Sequence, residues 1–393
     1  MVPKGWKLVS LGDVCNGDLQ TGPFGSQLHA HEYVPIGVPV LMPKDLIGCK
    51  ADISQAAKIT PTKANELKKH FLKSGDLLFS RRGDVARFAL INIESEGAIC
   101  GTGCLKARPS KNHSSNFLAY FLQKNSVRKW LEQNAVGQTM PNMNTEILHE
   151  LPLMIASSKL EEEKIAQILS TWDRAISVTE KLLSNSQQQK KALMQQLLTG
   201  KKRLLDENGG RFIEKWKKTT LGDIAKITTG SSNRQDSSLD GKYTFFDRSE
   251  DIRTSNIYLF DGEAIIVPGE GQRFEPKYFI GKFDLHQRTY AIMDFASHSG
   301  RFLFYMIDYL KVYFLNQAVG STVKSLRLPM FQKMTFEVPE IEEQQKIAAV
   351  LSAADTEISM LEKKLAYLKD EKKALMQQLL TGKRRVTVDA DAA

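Results

Sequence analysis

Two adjacent arginines, Arg81 and Arg82, follow the apolar run DLLF and precede Gly83. A guanidinium is a planar fork of donors, so an exposed pair on a turn suits phosphate or the O6/N7 edge of guanine. Arg248, Arg253, Arg273 and Arg288 have the same capacity in the second half, although each alone is also an ordinary solvated arginine. The other reactive residue types lead elsewhere. Cys100 and Cys104 lack the second cysteine pair that zinc would need and read as strand and turn thiols. His29 and His31, beside Glu32, read as a surface-loop pair rather than metal ligands. Asp13 and Asp223, in two Leu-Gly-Asp triplets, suit turn or N-cap positions, where a carboxylate accepts backbone N–H bonds. Thr199-Gly200-Lys201 resembles the end of a phosphate loop, but Gln195 stands where the upstream glycine belongs, so it reads as a helix cap. No Gly-x-Gly-x-x-Gly follows a strand, and no Asn-Pro-Pro-Tyr or Asp-Pro-Pro-Tyr is present to hold a target base. No catalytic residue and no metal ligand is expected.

The elements that must position the arginines come in duplicate. KKALMQQLLTGK occurs at 190–201 and again at 372–383, an offset of 372 − 190 = 182. Upstream, AVGQT at 135–139 matches AVGST at 318–322, GDLLF at 75–79 matches GEAII at 262–266, and Thr21-Gly22 matches Thr229-Gly230. Trp6-Lys7 with Leu11-Gly12-Asp13 matches Trp216-Lys217 with Leu221-Gly222-Asp223 at an offset of 210. The offset changes in one direction along the chain, as one collinear duplication requires. Its largest step, from 208 to 187, lies between Gly22 and Gly75.

Each half opens with short β-branched and aromatic runs between turns, such as GVPVLMP at 37–43, RFALINIE at 87–94 and RTYAIMDF at 288–295. Helices are expected near 115–134 and 300–316. A long helix follows in each half, from about 160 to 198 and from about 341 to 380, free of proline and ending at Thr-Gly. Ile165, Ile168, Trp172, Ile176, Leu182, Leu193 and Leu197 form an apolar stripe on the first. Ile347, Leu361, Leu365, Leu368, Leu375 and Leu379 form one on the second, interrupted by Lys372. At ~1.5 Å per residue, 40 residues make a rod of ~60 Å, and the stripe predicts helix pairing. Because one helix ends where the second head begins, the two should run antiparallel. The fold class expected is α+β: two α/β heads, at 1–158 and 211–340, joined by long antiparallel coiled-coil helices at 159–210 and 341–393, with a pseudo-twofold repeat.

With 393 residues, 42% hydrophobic and 25% charged, the chain can bury two or three cores. No apolar run is long enough for a transmembrane helix or signal peptide, and four cysteines crowded into the first third exclude a disulfide scaffold. A cytoplasmic location is expected. Basic residues exceed acidic ones by 54 − 45 = 9, and the heads hold most of the surplus, 18 against 13 in 1–158 and 18 against 16 in 211–340. A polyanionic partner is therefore permitted.

Taken in order and in duplicate, the LLTGK helix ends, the WK…LGD segment opening each head, TGPFGSQL at 21–28, GDLLFSRRGD at 75–84 and the AVG[QS]T turns resemble the specificity (S) subunit of Type I restriction–modification enzymes. The resemblance covers essentially the whole chain. It implies two target-recognition domains that each read half of a bipartite, asymmetric site on double-stranded DNA, without catalysis. It implies helices that set the spacer and dock two modification (methyltransferase) subunits, with restriction subunits joining them. S-adenosylmethionine, ATP and Mg2+ would belong to those partners, and adenine methylation with them. Candidate DNA contacts in the first head are Thr21, Phe24, Ser26, Gln27, Arg81, Arg82, Asn142 and Asn144. In the second they are Arg234, Arg248, Arg253, Arg273, Arg288, Lys324 and Arg327. Two rival classes are a free-standing DNA-modifying enzyme and a structural coiled-coil adaptor.

Overall fold

The computed structural model describes residues 2–137, 141–249 and 251–387, so Gln138 and Thr139 of the first AVG[QS]T turn lie outside the described residues. The chain forms two compact units. One comprises residues up to Val178 together with those from Leu365 onward; the other is Thr179–Lys364.

In the first unit a six-stranded sheet runs in the order Leu19–Thr21, Cys104–Ala107, Leu77–Ser80, Phe88–Leu90, Lys50–Ala51, Leu46–Ile47. Leu77–Ser80 is buried on both faces, which is why its run reads as continuously apolar rather than alternating. A second sheet, of four strands, holds Tyr33–Val34, Val38–Leu41 and Ala57–Ile59 beside Ile99–Cys100. Three of these strands fall between Gly22 and Gly75, so the extra length of the first head is spent on that sheet. The second unit has one six-stranded sheet, ordered Lys226–Thr229, Thr289–Met293, Phe260–Pro268, Lys277–Leu285, Tyr243–Phe246, Arg253–Ser255. This sheet curls until Ser232, beyond its first strand, bridges His286 at the end of its fourth.

The helix expected over 115–134 is two helices, Ser115–Leu122 and Asn125–Asn134, separated by Lys124 in extended conformation. Phe117, Leu118, Phe121 and Leu122 are buried on the first, Val127 and Leu131 on the second. One continuous helix in the first phase would have turned Asn125 and Lys129 inward, so the break resets the apolar face.

The long helices are continuous, Lys159–Leu197 and Ile341–Leu379. Gly200 and Gly382 terminate them at φ +66° and +64°, the left-handed geometry that favours glycine. Within the first unit Glu161 meets Arg385 and Asp173 meets Lys372; within the second Lys190 meets Asp355 and Arg203 meets Glu343. Both sets run antiparallel. Ile165 and Leu379 are fully buried in the first unit's core, Leu197 and Ile347 in the second's, and Ile168, Trp172, Ile176, Leu193, Leu361, Leu365, Leu368 and Leu375 are half-buried. The ends of the stripes thus serve the head cores as well as the helix seam. Two details differ from the expected stripe. Leu182 is exposed while Leu183 is half-buried. Lys372 does not interrupt the seam: its Nζ lies 2.6 Å from Asp173 Oδ1 and over the Tyr120 ring.

Candidate nucleic-acid interface

In the first unit the candidate side chains gather around the turn Gly101–Gly103. The Gly22 amide donates to the Cys104 carbonyl and the Arg81 amide to the Gly103 carbonyl. A Cβ on Gly22 would lie 1.8 Å from the Gly101 oxygen, so only glycine permits this approach. Thr21 ends the adjoining strand, and Phe24 and Ser26 project from the loop, Phe24 with 59% of its surface exposed. Gln27 Oε1 accepts the Phe24 amide. Arg82 is exposed and forms a bridge with Asn142, while the Met143 amide donates to the Arg81 carbonyl. Arg81 Nε and Asn142 Oδ1 are buried without hydrogen-bond partners. A buried group left unpaired costs about 1–3 kcal/mol, so both atoms are open to a hydrogen bond from outside the chain. Asn144 is occupied differently, because its side chain accepts the Ile147 amide and caps helix Thr145–His149.

The second unit repeats this backbone with different side chains. Val319 and Ser325 exchange amide bonds as Val136 and Asn142 do, and Leu326 donates to the Gly269 carbonyl as Met143 does to Arg81. Glu270 then pairs with Ser325 where Arg82 pairs with Asn142. Gly230 repeats Gly22, with a Cβ 1.7 Å from the Leu285 oxygen.

Around Glu270 stand the second unit's arginines. Arg248 donates to Glu270 Oε2 at 3.0 Å and Arg288 to Oε1. Asp247 Oδ2 lies 3.7 Å from Arg234 and 3.8 Å from Arg253. The Asp247 carboxyl is held below the usual carboxylate range: burial opposes ionisation, but bonds from the Ser249 hydroxyl and amide and the two arginines outweigh it. His286 lies between the two groups and accepts the Arg288 amide at Nδ1. Burial, with Arg248 and Arg288 adding to it against Asp247, lowers its basicity. Arg273 and Arg248 line a cavity of about 250 Å³. Lys324 is half-buried and donates to the Leu315 carbonyl, whereas Arg327 is exposed beside Leu326.

Asp247, Glu270 and His286 were not apparent from sequence. A signal for Glu270 existed, a lone charge between two glycines in PGEG, but the repeat offset of 187 sets Gly269 opposite Arg82, and only the strand pairing brings Glu270 to that position.

The thiols offer no nucleophile here. Burial pushes Cys15 and Cys100 up to about 12, and Cys104 also upward. Among the described residues no group of three or more His, Cys, Asp or Glu is placed to hold a metal ion. His29 and His31 stack on each other, and Glu32 accepts the His29 amide. Asp13 is not an N-cap: Ser10 caps the short helix Leu11–Val14, and Asp13 closes the capping box from its third position.

Comparison with known proteins places the fold. The family model for the Type I restriction modification DNA specificity domain matches residues 3–185 and again 213–370. The putative type I restriction enzyme MjaX specificity subunit of Methanocaldococcus jannaschii is 26% identical over 414 residues, covering 98% of this chain and 95% of the relative. The Type I restriction enzyme EcoDI specificity subunit of Escherichia coli is 27% identical over 174 residues, 44% of this chain and 39% of its own. Among solved structures, the S subunit of the Type-I restriction-modification system from M. genitalium matches with a TM-score of 0.65 at 15% identity, covering 95% of this chain and 96% of that one.

Proposed function

Since the chain belongs to the Type I restriction–modification DNA specificity family, a specificity subunit that recognises DNA targets, we propose that its heads, 1–158 and 211–340, are separate target-recognition domains reading two different half-sites. The observation that carries this is a shared backbone frame with unlike side chains: Arg81, Arg82 and Asn142 in one unit stand where Gly269, Glu270 and Ser325 stand in the other. One frame with two sets of side chains suits an asymmetric site better than a palindrome.

The remaining parts of the reading follow the family. The helices set the spacer and, with their half-buried stripe, dock two modification subunits; restriction subunits complete the assembly. Methyl transfer to adenine and ATP-driven cleavage reside on those partners, with S-adenosylmethionine, ATP and Mg2+, and the complex works in the cytoplasm. No described helix is long and apolar enough to cross a membrane.

Exchange of residues 22–75 for the equivalent segment of another family member tests the separation. Methylation mapping of the host should show one half of the motif altered and the other retained; a change in both halves would refute two independent readers. At single-residue scale, Arg82→Ala should cost about 1–3 kcal/mol and relax one base pair of the first half-site if the guanidinium reads guanine. Binding titrations on single-base variants of the cognate duplex measure this. A uniform loss on all of them would assign Arg82 to phosphate instead.

A further inference from the structure

The geometry points to Glu270 as a positioning residue that fixes Arg248 and Arg288 as a paired guanine reader in the second half-site. This rests on the DNA-recognition reading above and adds the residue, the base class and the unit.

Both carboxylate oxygens of Glu270 are engaged, one by each arginine. Its side chain is only 12% exposed, whereas Arg248 and Arg288 are 53% and 59% exposed. The carboxylate is thus hidden behind the two cations it holds. Each of its oxygens already accepts from one guanidinium, and the more exposed cations cover it, so the arginines and not the carboxylate are the groups that meet a base. Each guanidinium uses one terminal nitrogen on Glu270, and with more than half of each arginine side chain exposed the other donors are accessible for the fork contact to guanine O6 and N7. Because the two forks share one carboxylate, the bases they address are neighbours.

Three features bring the pair together. Arg248 follows strand Tyr243–Phe246, Arg288 precedes strand Thr289–Met293, and Glu270 lies just beyond Phe260–Pro268. The curl of the sheet gathers these strand ends. The Arg288 carbonyl accepts the Gly269 amide and the His286 amide donates to the Phe246 carbonyl, so the loops are tied by backbone. A Cβ on Gly269 would lie 2.6 Å from the Arg288 oxygen, which keeps Glu270 close to Arg288. The same backbone position in the first unit carries Arg82. There the frame presents a cation directly; here it presents an anion that holds two cations from elsewhere. Long flexible arginines lose less discrimination when a fixed carboxylate restricts them before DNA arrives.

The test is selection of a randomised duplex library by the full-length chain, with Glu270→Gln, Glu270→Asp, Arg248→Ala and Arg288→Ala compared with the unaltered protein. In the unaltered protein, guanines should be enriched at two adjacent positions of one half-site. Arg248→Ala and Arg288→Ala should each lower the preference at one of these positions roughly 10- to 100-fold. Glu270→Gln should weaken both positions together, and Glu270→Asp should retain most of the preference. The other half-site should be unaffected throughout. A merely structural carboxylate would lower affinity for every sequence alike, and that result, or an unchanged motif, would overturn the proposal. If the unaltered chain enriched no motif at all, the DNA-recognition reading itself would fall, which separates the two failures.

Discussion

An alanine at Gly230 is expected to abolish specific binding through the second unit while the first unit still reads its own half-site. The added Cβ would lie 1.7 Å from the Leu285 carbonyl oxygen and 2.3 Å from its carbon. No rotamer can relieve a clash between two backbones. Overpacking commonly costs about 1–3 kcal/mol, and here the loss should reach at least about 3 kcal/mol or be avoided by moving the loop. Either response displaces Ser232 from Leu285 and His286 and opens the curl that gathers Arg248, Glu270 and Arg288. Gly22→Ala should do the same to the first unit, where the Gly101 oxygen stands 1.8 Å away. Gly25→Ala is the control, since nothing lies within 4 Å of its added Cβ. Library selection together with urea unfolding checks all three. Full specificity retained by Gly230→Ala would show that the Thr-Gly approach plays no part in recognition.

Removal of Arg203 should cost roughly 3 kcal/mol of stability, because it strands a buried carboxylate. Arg203 meets Glu343 at 2.6 and 2.7 Å, and Glu343 is 1% exposed. Arg385 repeats the contact with Glu161 at 2.6 and 2.9 Å, but its side chain is 45% exposed, so screening reduces the expected loss to about 2 kcal/mol. The pH dependence has a definite sign. Burial opposes ionisation of Glu161, yet Arg385 and Ser157 outweigh it and hold the carboxyl below its ordinary value of 4.5. In the native protein this contribution is full above the unfolded value and disappears as pH falls through the folded one. In Arg385→Ala burial and the Ser157 bonds remain without the cation, so the folded value rises. The deficit should then be larger at pH 7 than near pH 4. Urea titrations at both pH values check it, and adding Glu161→Gln should recover part of the loss at pH 7. A deficit independent of pH would assign the loss to packing of the arginine stem.

Much of this architecture is legible in the sequence because duplication and periodicity are local signals. The Thr-Gly helix ends, the stripe from Ile165 to Leu197 and the paired WK…LGD segments can be found by spacing alone. What escapes is pairing across long separations. Lys372 reads as a fault in an apolar seam, yet its partner Asp173 lies 199 residues away, and no spacing rule connects them. The arginines of the second head are visible individually, but the carboxylates that hold them depend on a curled sheet whose closure no strand pattern reveals. The split at Lys124 carries no Pro or Gly to announce it. It follows from two helices that each need a buried face.

The exchange of helix ends between the units also governs the order in which they can be completed during synthesis. Thr179–Lys364 is one continuous stretch and has every partner it needs, Arg203 and Glu343 included, once that stretch has left the ribosome. The earlier-made unit must wait. Glu161 and Asp173 emerge long before Arg385 and Lys372, and at about 5–20 residues per second the interval is roughly 10 to 40 s. Throughout that time Ile165 and Leu169, destined for the same core as Leu379 and Leu380, lack the surface that covers them. The unit translated first is therefore the one finished last, and the one most exposed to chaperones, proteases and aggregation while the rest of the chain is made.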